Sequence, residues 1–154
     1  MKNLKNYSKI TLAIFGFLMM STTSFAQAAK VVEIKGSDQM KFSVESIQAT
    51  PGQKITVKLS NDSKFPANAM SHNFVLLKEN VDAAAFDKAA MTHAKEGYLD
   101  PKLKDQMIAH TSMIAGGKTA EVTFNAPKKP GKYMYICTFP GHFGAGMKGI
   151  LTVK

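Results

Sequence analysis

Residues 133–154 read YMYICTFPGHFGAGMKGILTVK, two apolar strand-like runs joined by a short loop. The first run ends at Cys137, the one cysteine of the chain, and Met147 opens the last strand. Between them, Pro140 and the loop glycines allow sharp turns, so His142 can face the same point as the cysteine. The equal intervals from cysteine to histidine to methionine predict a compact cluster of metal-binding side chains.

The start of the chain is typical of an exported protein. The first nine residues carry three lysines and no acid, and the apolar run after them is shorter than the about 20 residues that span a bilayer. No later run is long or apolar enough to span one. Small-x-small cleavage sites predict a signal peptide over residues 1–28, cut after Ala26 or Ala28, and a mature domain over residues 29–154. In an oxidising compartment, an unpaired thiol needs protection by burial, intermolecular pairing, catalysis or a metal.

The distribution of charge argues against nucleic acid as a partner. The chain has a net charge of +9, which becomes about +6 without the three leader lysines. It has no arginine, the residue that dominates bidentate recognition of phosphates and bases. The lysines are scattered and are interpreted as a solvated surface, with weak steering toward an acidic partner as the alternative.

Alternating apolar residues predict an all-β domain with one helical insertion. The alanine-rich stretch around residues 81–95 favours a helix, which Asn80 or Asp82 could cap and Gly97 could end. Several short strands at regular spacing predict a sandwich or barrel. The predicted strands cover residues 31–34, 41–44, 54–60, 72–78, 118–124, 132–138 and 148–153.

The chemistry of the cluster favours copper. Cys137 offers a thiolate, His142 an imidazole and Met147 a thioether, and His72 stands just before a predicted strand as the second imidazole. Two imidazoles and one thiolate with a long axial thioether make the blue-copper arrangement. Zinc could bind the same set but gains little from a thioether.

The remaining histidines are interpreted differently. His93 falls in the predicted helix, most simply on its exposed side, and His110 falls on a strand. Both are predicted to be structural or surface residues rather than metal ligands.

Further motifs extend over nearly the whole predicted mature chain. They are GSDQMKF at 36–42, MSHNFVL at 70–76, IAHT at 108–111, IAGG at 114–117 and CTFPGH at 137–142. These motifs resemble the azurin group of small blue copper proteins, the cupredoxins. The four residues between the last histidine and the methionine resemble the longer spacing of auracyanins. The chain also lacks the pair of cysteines that forms the disulfide usual in azurins.

The resemblance implies a fold and a ligand set. The fold would be a Greek-key β-sandwich holding one type 1 copper ion. His72, Cys137 and His142 would be the equatorial ligands and Met147 the axial ligand. The carbonyl of Ser71, which stands where azurins have glycine, is the candidate for a further weak axial contact.

The resemblance also implies supporting residues. Asn73 and Thr138 would hydrogen-bond to each other and so orient the ligands that they follow. An apolar patch would surround an exposed edge of His142, through which electrons would pass. Its members would be Met40, Met70, Phe139, Pro140, Phe143 and Ala145.

The function implied is that of a one-electron carrier, not an enzyme. We expect a monomer in a bacterial periplasm that exchanges electrons with redox proteins such as c-type cytochromes or copper or haem reductases. Two other classes stay open on the sequence alone. One is a copper-binding or delivery protein, which reversible redox cycling would distinguish. The other is an enzyme with Cys137 as nucleophile, in which Met147 would have no role.

Overall fold

The computed structural model describes residues 28–154 of the chain. The predicted signal peptide therefore lies outside the described residues, apart from Ala28 at its end. No helix in this part of the chain is long and apolar enough to cross a membrane.

Eight strands and one α-helix form the domain. In chain order they are β1 (Lys30–Gly36), β2 (Ser46–Ala49), β3 (Lys54–Asn61), β4 (Val75–Leu77), α1 (Ala83–Ala90), β5 (Met107–His110), β6 (Lys118–Asn125), β7 (Gly131–Ile136) and β8 (Lys148–Val153). Two 3₁₀ helices, Ala94–Glu96 and Pro101–Gln106, lie between α1 and β5.

The strands form two sheets. One has the order β1-β3-β6 and the other the order β2-β8-β7-β4-β5. The β1–β3 and β2–β8 pairs are parallel, and the remaining pairs are antiparallel. The crossovers between sheets confirm the predicted all-β, Greek-key sandwich.

The core lies between the two sheets. Along β3, Ile55, Val57 and Leu59 are each 0% exposed, as their alternation predicts. They belong to one cluster with Phe74 of the loop before β4 and with Tyr135 of β7. Full burial of such a side chain stabilises the fold by about 1.5–3 kcal/mol.

The helical insertion is where the sequence places it, although it is interrupted. The Asp82 carboxylate caps α1 by accepting from the backbone N–H groups of Ala84 and Ala85, at 2.9 and 3.1 Å. The first 3₁₀ helix ends at Gly97, whose φ of 66° suits glycine. The predicted cap at Asp82 is confirmed, whereas the predicted end at Gly97 is wrong for α1, which ends at Ala90; Gly97 ends the separate 3₁₀ helix.

Two strand predictions are wrong in part. Residues 41–44 form no strand, only a single bridge between Phe42 and Gly36, and the neighbouring β2 was not predicted. Of the strand predicted over residues 72–78, only Val75–Leu77 forms β4. His72 makes an isolated bridge to Ile114 instead of joining the sheet.

Candidate metal centre

The sheet brings the ends of two neighbouring strands together. β4 and β7 are antiparallel, and Val75 at the start of β4 pairs with Ile136 at the end of β7. Residues just before β4 and just after β7 must therefore lie at the same end of the sheet. His72 occupies the first position, Cys137 the second, and the loop after Cys137 carries His142.

The three side chains converge on one buried point. The Nδ1 atoms of His72 and His142 are 3.2 Å apart, and the Cys137 Sγ lies 3.9 and 3.6 Å from them. His72 and Cys137 are 0% exposed and His142 is 2% exposed. Among the described residues, this is the group of histidine, cysteine and carboxylate side chains whose geometry could hold a metal ion.

Burial sets the protonation state of this group. Burial lowers the pKa of His72 to about 4, and the Asp38 charge opposes that shift in part. Burial and the neighbouring His72 ring lower the pKa of His142 to about 4. Burial raises the pKa of Cys137 to about 12. At neutral pH the imidazoles are thus uncharged with free lone pairs, while the thiol must lose a proton to bind a metal.

Backbone hydrogen bonds fold the ligand loop onto itself. The His142 N–H donates to the Phe139 carbonyl at 3.0 Å, and the Met147 N–H donates to the His142 carbonyl at 2.9 Å. The Cys137 N–H in turn donates to the Met147 carbonyl at 3.1 Å. Met147 is 0% exposed and packs in the same core cluster as Cys137. The four predicted ligands are therefore near one another, with the methionine held by its backbone beside the other three.

His72 is fixed from two sides. Its backbone exchanges two hydrogen bonds with Ile114, at 3.0 and 2.8 Å. Gly36 lies against its ring, where a Cβ would come within 2.7 Å of the ring Cγ. The Nδ1 atom faces the Nδ1 of His142 and the Sγ of Cys137, so Nδ1, not Nε2, is the atom directed at the site.

Asn73 and Thr138 tie the two ligand-bearing segments together. The Asn73 side chain donates to the Thr138 Oγ1 at 2.8 Å and accepts from the Thr138 N–H at 2.9 Å. The Thr138 hydroxyl then donates to the carbonyl of Tyr98 at 2.7 Å. The hydrogen bonds implied by the resemblance are present, and they extend to the segment that follows α1.

Three supporting residues escaped the sequence analysis. Asn61 is 0% exposed and its amide donates to the carbonyls of Met70 and Ile114, both at 3.1 Å. Gly36 and Asn61 continue the inward alternation of β1 and β3, which is the signal that could have identified them. Lys41 donates to carbonyls of the ligand loop, and no sequence pattern indicates that contact.

The other predictions about residues near the site are confirmed only in part. His93 is partly buried between the carboxylates of Glu96 and Asp100, and His110 lies on the surface. The Ser71 hydroxyl donates to the Ala67 carbonyl at 2.7 Å. The weak axial contact predicted for the Ser71 carbonyl stays a prediction.

The exposed edge predicted for His142 is wrong, since its ring is 2% exposed. The Phe139 ring lies 4.7 Å from it, centroid to centroid, and is itself 8% exposed. Of the other members of the predicted patch, Pro140 and Ala145 are exposed and Met40, Met70 and Phe143 are half-buried. We call these five residues the ligand-loop patch.

Comparison with known proteins agrees with this geometry. Residues 28–154 match the family of copper-binding proteins described as plastocyanin/azurin. The chain belongs to the plastocyanin/azurin family. It is 39% identical to azurin of Pseudomonas aeruginosa over 147 residues, which cover 93% of this chain and 97% of that protein. It is 36% identical to auracyanin-B of Chloroflexus aurantiacus over 127 residues, 81% of this chain and 52% of that one.

Solved structures show the same fold. The dithionite-reduced auracyanin of Roseiflexus castenholzii has a TM-score of 0.72 and 33% sequence identity, and the match covers 83% of this chain and 99% of that one. Auracyanin A of Chloroflexus aurantiacus, described as a "blue" copper protein, has a TM-score of 0.72 and 31% identity, over 82% of this chain and 100% of that one.

Copper, the cofactor of the plastocyanin/azurin family, fits this site. A thiol and two neutral imidazoles form a soft-to-borderline donor set, and their donor atoms all lie within 4.8 Å of one another. The set is fully enclosed, and a buried thiol with no disulfide partner has a clear role there.

Proposed function

We propose that this chain is a one-electron carrier, with one copper ion held by His72, Cys137 and His142 and by Met147 as a weak axial ligand. The observation that carries the proposal is the convergence of three buried donor atoms at the shared end of β4 and β7. The membership of the plastocyanin/azurin family supports it independently.

Bound copper would supply a redox couple that changes by one electron between Cu(II) and Cu(I). The protein would supply constant surroundings for that change. The Asn73–Thr138 hydrogen bonds and the backbone bonds of the ligand loop hold the donors in place before metal arrives. Full burial of Cys137 excludes water from the sulfur.

The ligand-loop patch is the surface that we propose for electron exchange. Its five members are apolar, and Pro140 and Ala145 are exposed on the loop that carries His142. A small apolar contact allows close approach without charged groups that would slow release. The partners would be redox proteins such as c-type cytochromes or copper or haem reductases.

The location that we propose is the bacterial periplasm, with the chain acting as a monomer after removal of residues 1–28. N-terminal sequencing of the exported protein should begin at Gln27 or Ala29. A mature protein that retains Met1 would contradict the proposed export.

The first test is an absorption spectrum with a redox titration of the copper-loaded protein. We expect intense blue absorption from thiolate-to-copper charge transfer and a reversible one-electron couple. Cys137→Ala and His72→Ala should abolish the colour, whereas His110→Ala, which removes a surface imidazole, should keep it. Blue colour that survives Cys137→Ala would refute the ligand assignment. Blue colour without reversible cycling would favour copper binding or delivery instead.

A thiol enzyme is the less favoured alternative. Cys137 is 0% exposed, and burial raises its pKa to about 12, whereas catalytic thiols are accessible and have lowered pKa values.

A further inference from the structure

One oxygen of a buried carboxyl group lacks a hydrogen-bond partner within the described part of the chain. The buried residues of α1 are Ala83, Phe86, Asp87 and Ala90, which share one face of the helix. Asp87 is 4% exposed, and its Oδ1 atom is buried with no hydrogen-bond partner among residues 28–154. A buried ionised carboxyl without a partner costs stability, so its position calls for a reason other than folding.

This face of α1 packs beside the candidate metal centre. Ala83 and Phe86 share a core cluster with Ile136, the residue directly before Cys137. Phe86, the chain neighbour of Asp87, thus packs against the residue that precedes Cys137, and Phe143 of the ligand loop packs on the same cluster. Burial is the main cause that raises the pKa of the Cys137 thiol, and the Asp87 charge adds the smallest contribution. Asp87 is not one of the predicted ligands and makes no hydrogen bond to them among the bonds of the described residues.

The elements packed on α1 face it mainly with apolar side chains. β4 contributes Val75 and Leu77, β5 contributes Met107, and β7 contributes Met134 and Ile136. The titratable groups on and beside these elements are His110 of β5, Lys132, Tyr133 and Tyr135 of β7, Lys148 beside Phe143, and Asp100, Lys102, Lys104 and Asp105 of the second 3₁₀ helix and its cap. Burial alone raises the pKa of Asp87 to about 6, which places its ionisation in a range where proteins function.

We propose that the Asp87 carboxylate sets the electron affinity of the metal centre by favouring the oxidised state, and that protonation of this carboxyl removes the effect. The inference rests on the proposed electron-carrier function. The redox partner supplies the one electron of reduction. As the negative charge beside it grows, the carboxylate of Asp87 takes up a proton from solvent.

The test compares two charge removals on the same helix in the copper-loaded protein. Asp87→Asn removes the buried charge, and Asp82→Asn removes an exposed charge while keeping a residue that caps helices. The reduction potential is measured by redox titration between pH 4.5 and 8. We expect the potential of the wild-type protein to fall as Asp87 ionises, and that of Asp87→Asn to lie above it at pH 8 without that fall. Asp82→Asn should run parallel to the wild type.

Two results would overturn the inference. One is equal potentials of Asp87→Asn and Asp82→Asn at pH 8, and the other is an Asp87→Asn profile that keeps the wild-type fall. A reversible couple with either result counts against Asp87 alone. The absence of any reversible couple counts against the proposed function and the inference together.

A second readout needs no copper. Because the folded pKa of Asp87 is above its usual 3.8, this carboxyl binds more protons in the folded state, and its contribution to stability falls as pH rises from about 4 to about 6. His72 and His142, whose pKa values burial lowers to about 4, make stability rise over the same range in every variant, so the readout is the difference in unfolding free energy between variants. In chemical denaturation of the metal-free protein, the stability of the wild type relative to Asp87→Asn should fall from about pH 4 to about pH 6, whereas its stability relative to Asp82→Asn should stay nearly constant. Asp87→Ala, with a strong helix former, replaces Asp87→Asn in both tests if the latter does not fold. A stability difference between the wild type and the Asp87 variant that does not change with pH over this range would overturn the buried charge on which the inference depends.

Discussion

Loading the metal-free protein with Cu(II) should release a countable number of protons. The metal needs a thiolate and two neutral imidazoles, so the release depends on the protons that these groups carry beforehand. With the pKa of Cys137 raised to about 12, the thiol is essentially fully protonated at pH 7. With the pKa values of His72 and His142 lowered to about 4, both imidazoles are essentially unprotonated there.

The expected count follows directly. At pH 7 the thiol gives up its proton and the imidazoles give up almost none, so about one proton should leave per copper bound. At pH 4 each imidazole carries about half a proton, so the release should rise to about two. Copper affinity should therefore weaken more steeply with acid below pH 5 than it does between pH 6 and 8.

Isothermal titration calorimetry in buffers of different ionisation enthalpy measures this release. The blue absorption recorded in parallel verifies that the metal stays Cu(II) and that the thiol is not oxidised. Cys137→Ala should release almost no protons at pH 7. A count near three at pH 7, or near zero, would refute the protonation states that burial imposes on the site.

Three substitutions test the supporting structure. Gly36→Ala should lower the free energy of unfolding by about 1–3 kcal/mol and weaken copper binding, because the new Cβ would lie 2.7 Å from the His72 Cγ; denaturation and copper titration would both have to be unchanged to contradict this. Asn73→Ala should cost about 1–3 kcal/mol in denaturation and shift the blue absorption, because the Thr138 N–H loses its acceptor; an unshifted spectrum would argue against a role in orienting ligands. Ile55→Ala should cost about 2–5 kcal/mol by denaturation but leave the spectrum unchanged, because it lies at the far end of β3 from the site.

Alternation predicted the long strands because each has one buried and one solvated face. β3 shows the rule most clearly, with Ile55, Val57 and Leu59 buried and the residues between them more exposed. β2 was missed because it has four residues and pairs in parallel with β8, a partner about a hundred residues away. No local pattern encodes such a pairing.

The candidate site was predictable for a related reason. Cys137, His142 and Met147 lie on one short loop, so their proximity follows from the chain itself. Contacts that depend on packing were not predictable. Examples are the Lys41 ammonium on the Ala145 carbonyl at 3.0 Å and the burial of His142 beneath Phe139.

The segment between β4 and β5 begins and ends at neighbouring positions of the same sheet. Leu77 pairs with Met107, and the Lys78 N–H donates to the Gln106 carbonyl at 2.8 Å. This pairing holds the two ends of the segment side by side, as in a hairpin. A shorter or foreign module could be grafted onto them, provided that it shields the apolar side chains of β4 and offers Thr138 an acceptor in place of Tyr98. The domain thus offers protein engineers an exchangeable cassette next to its ligand loop.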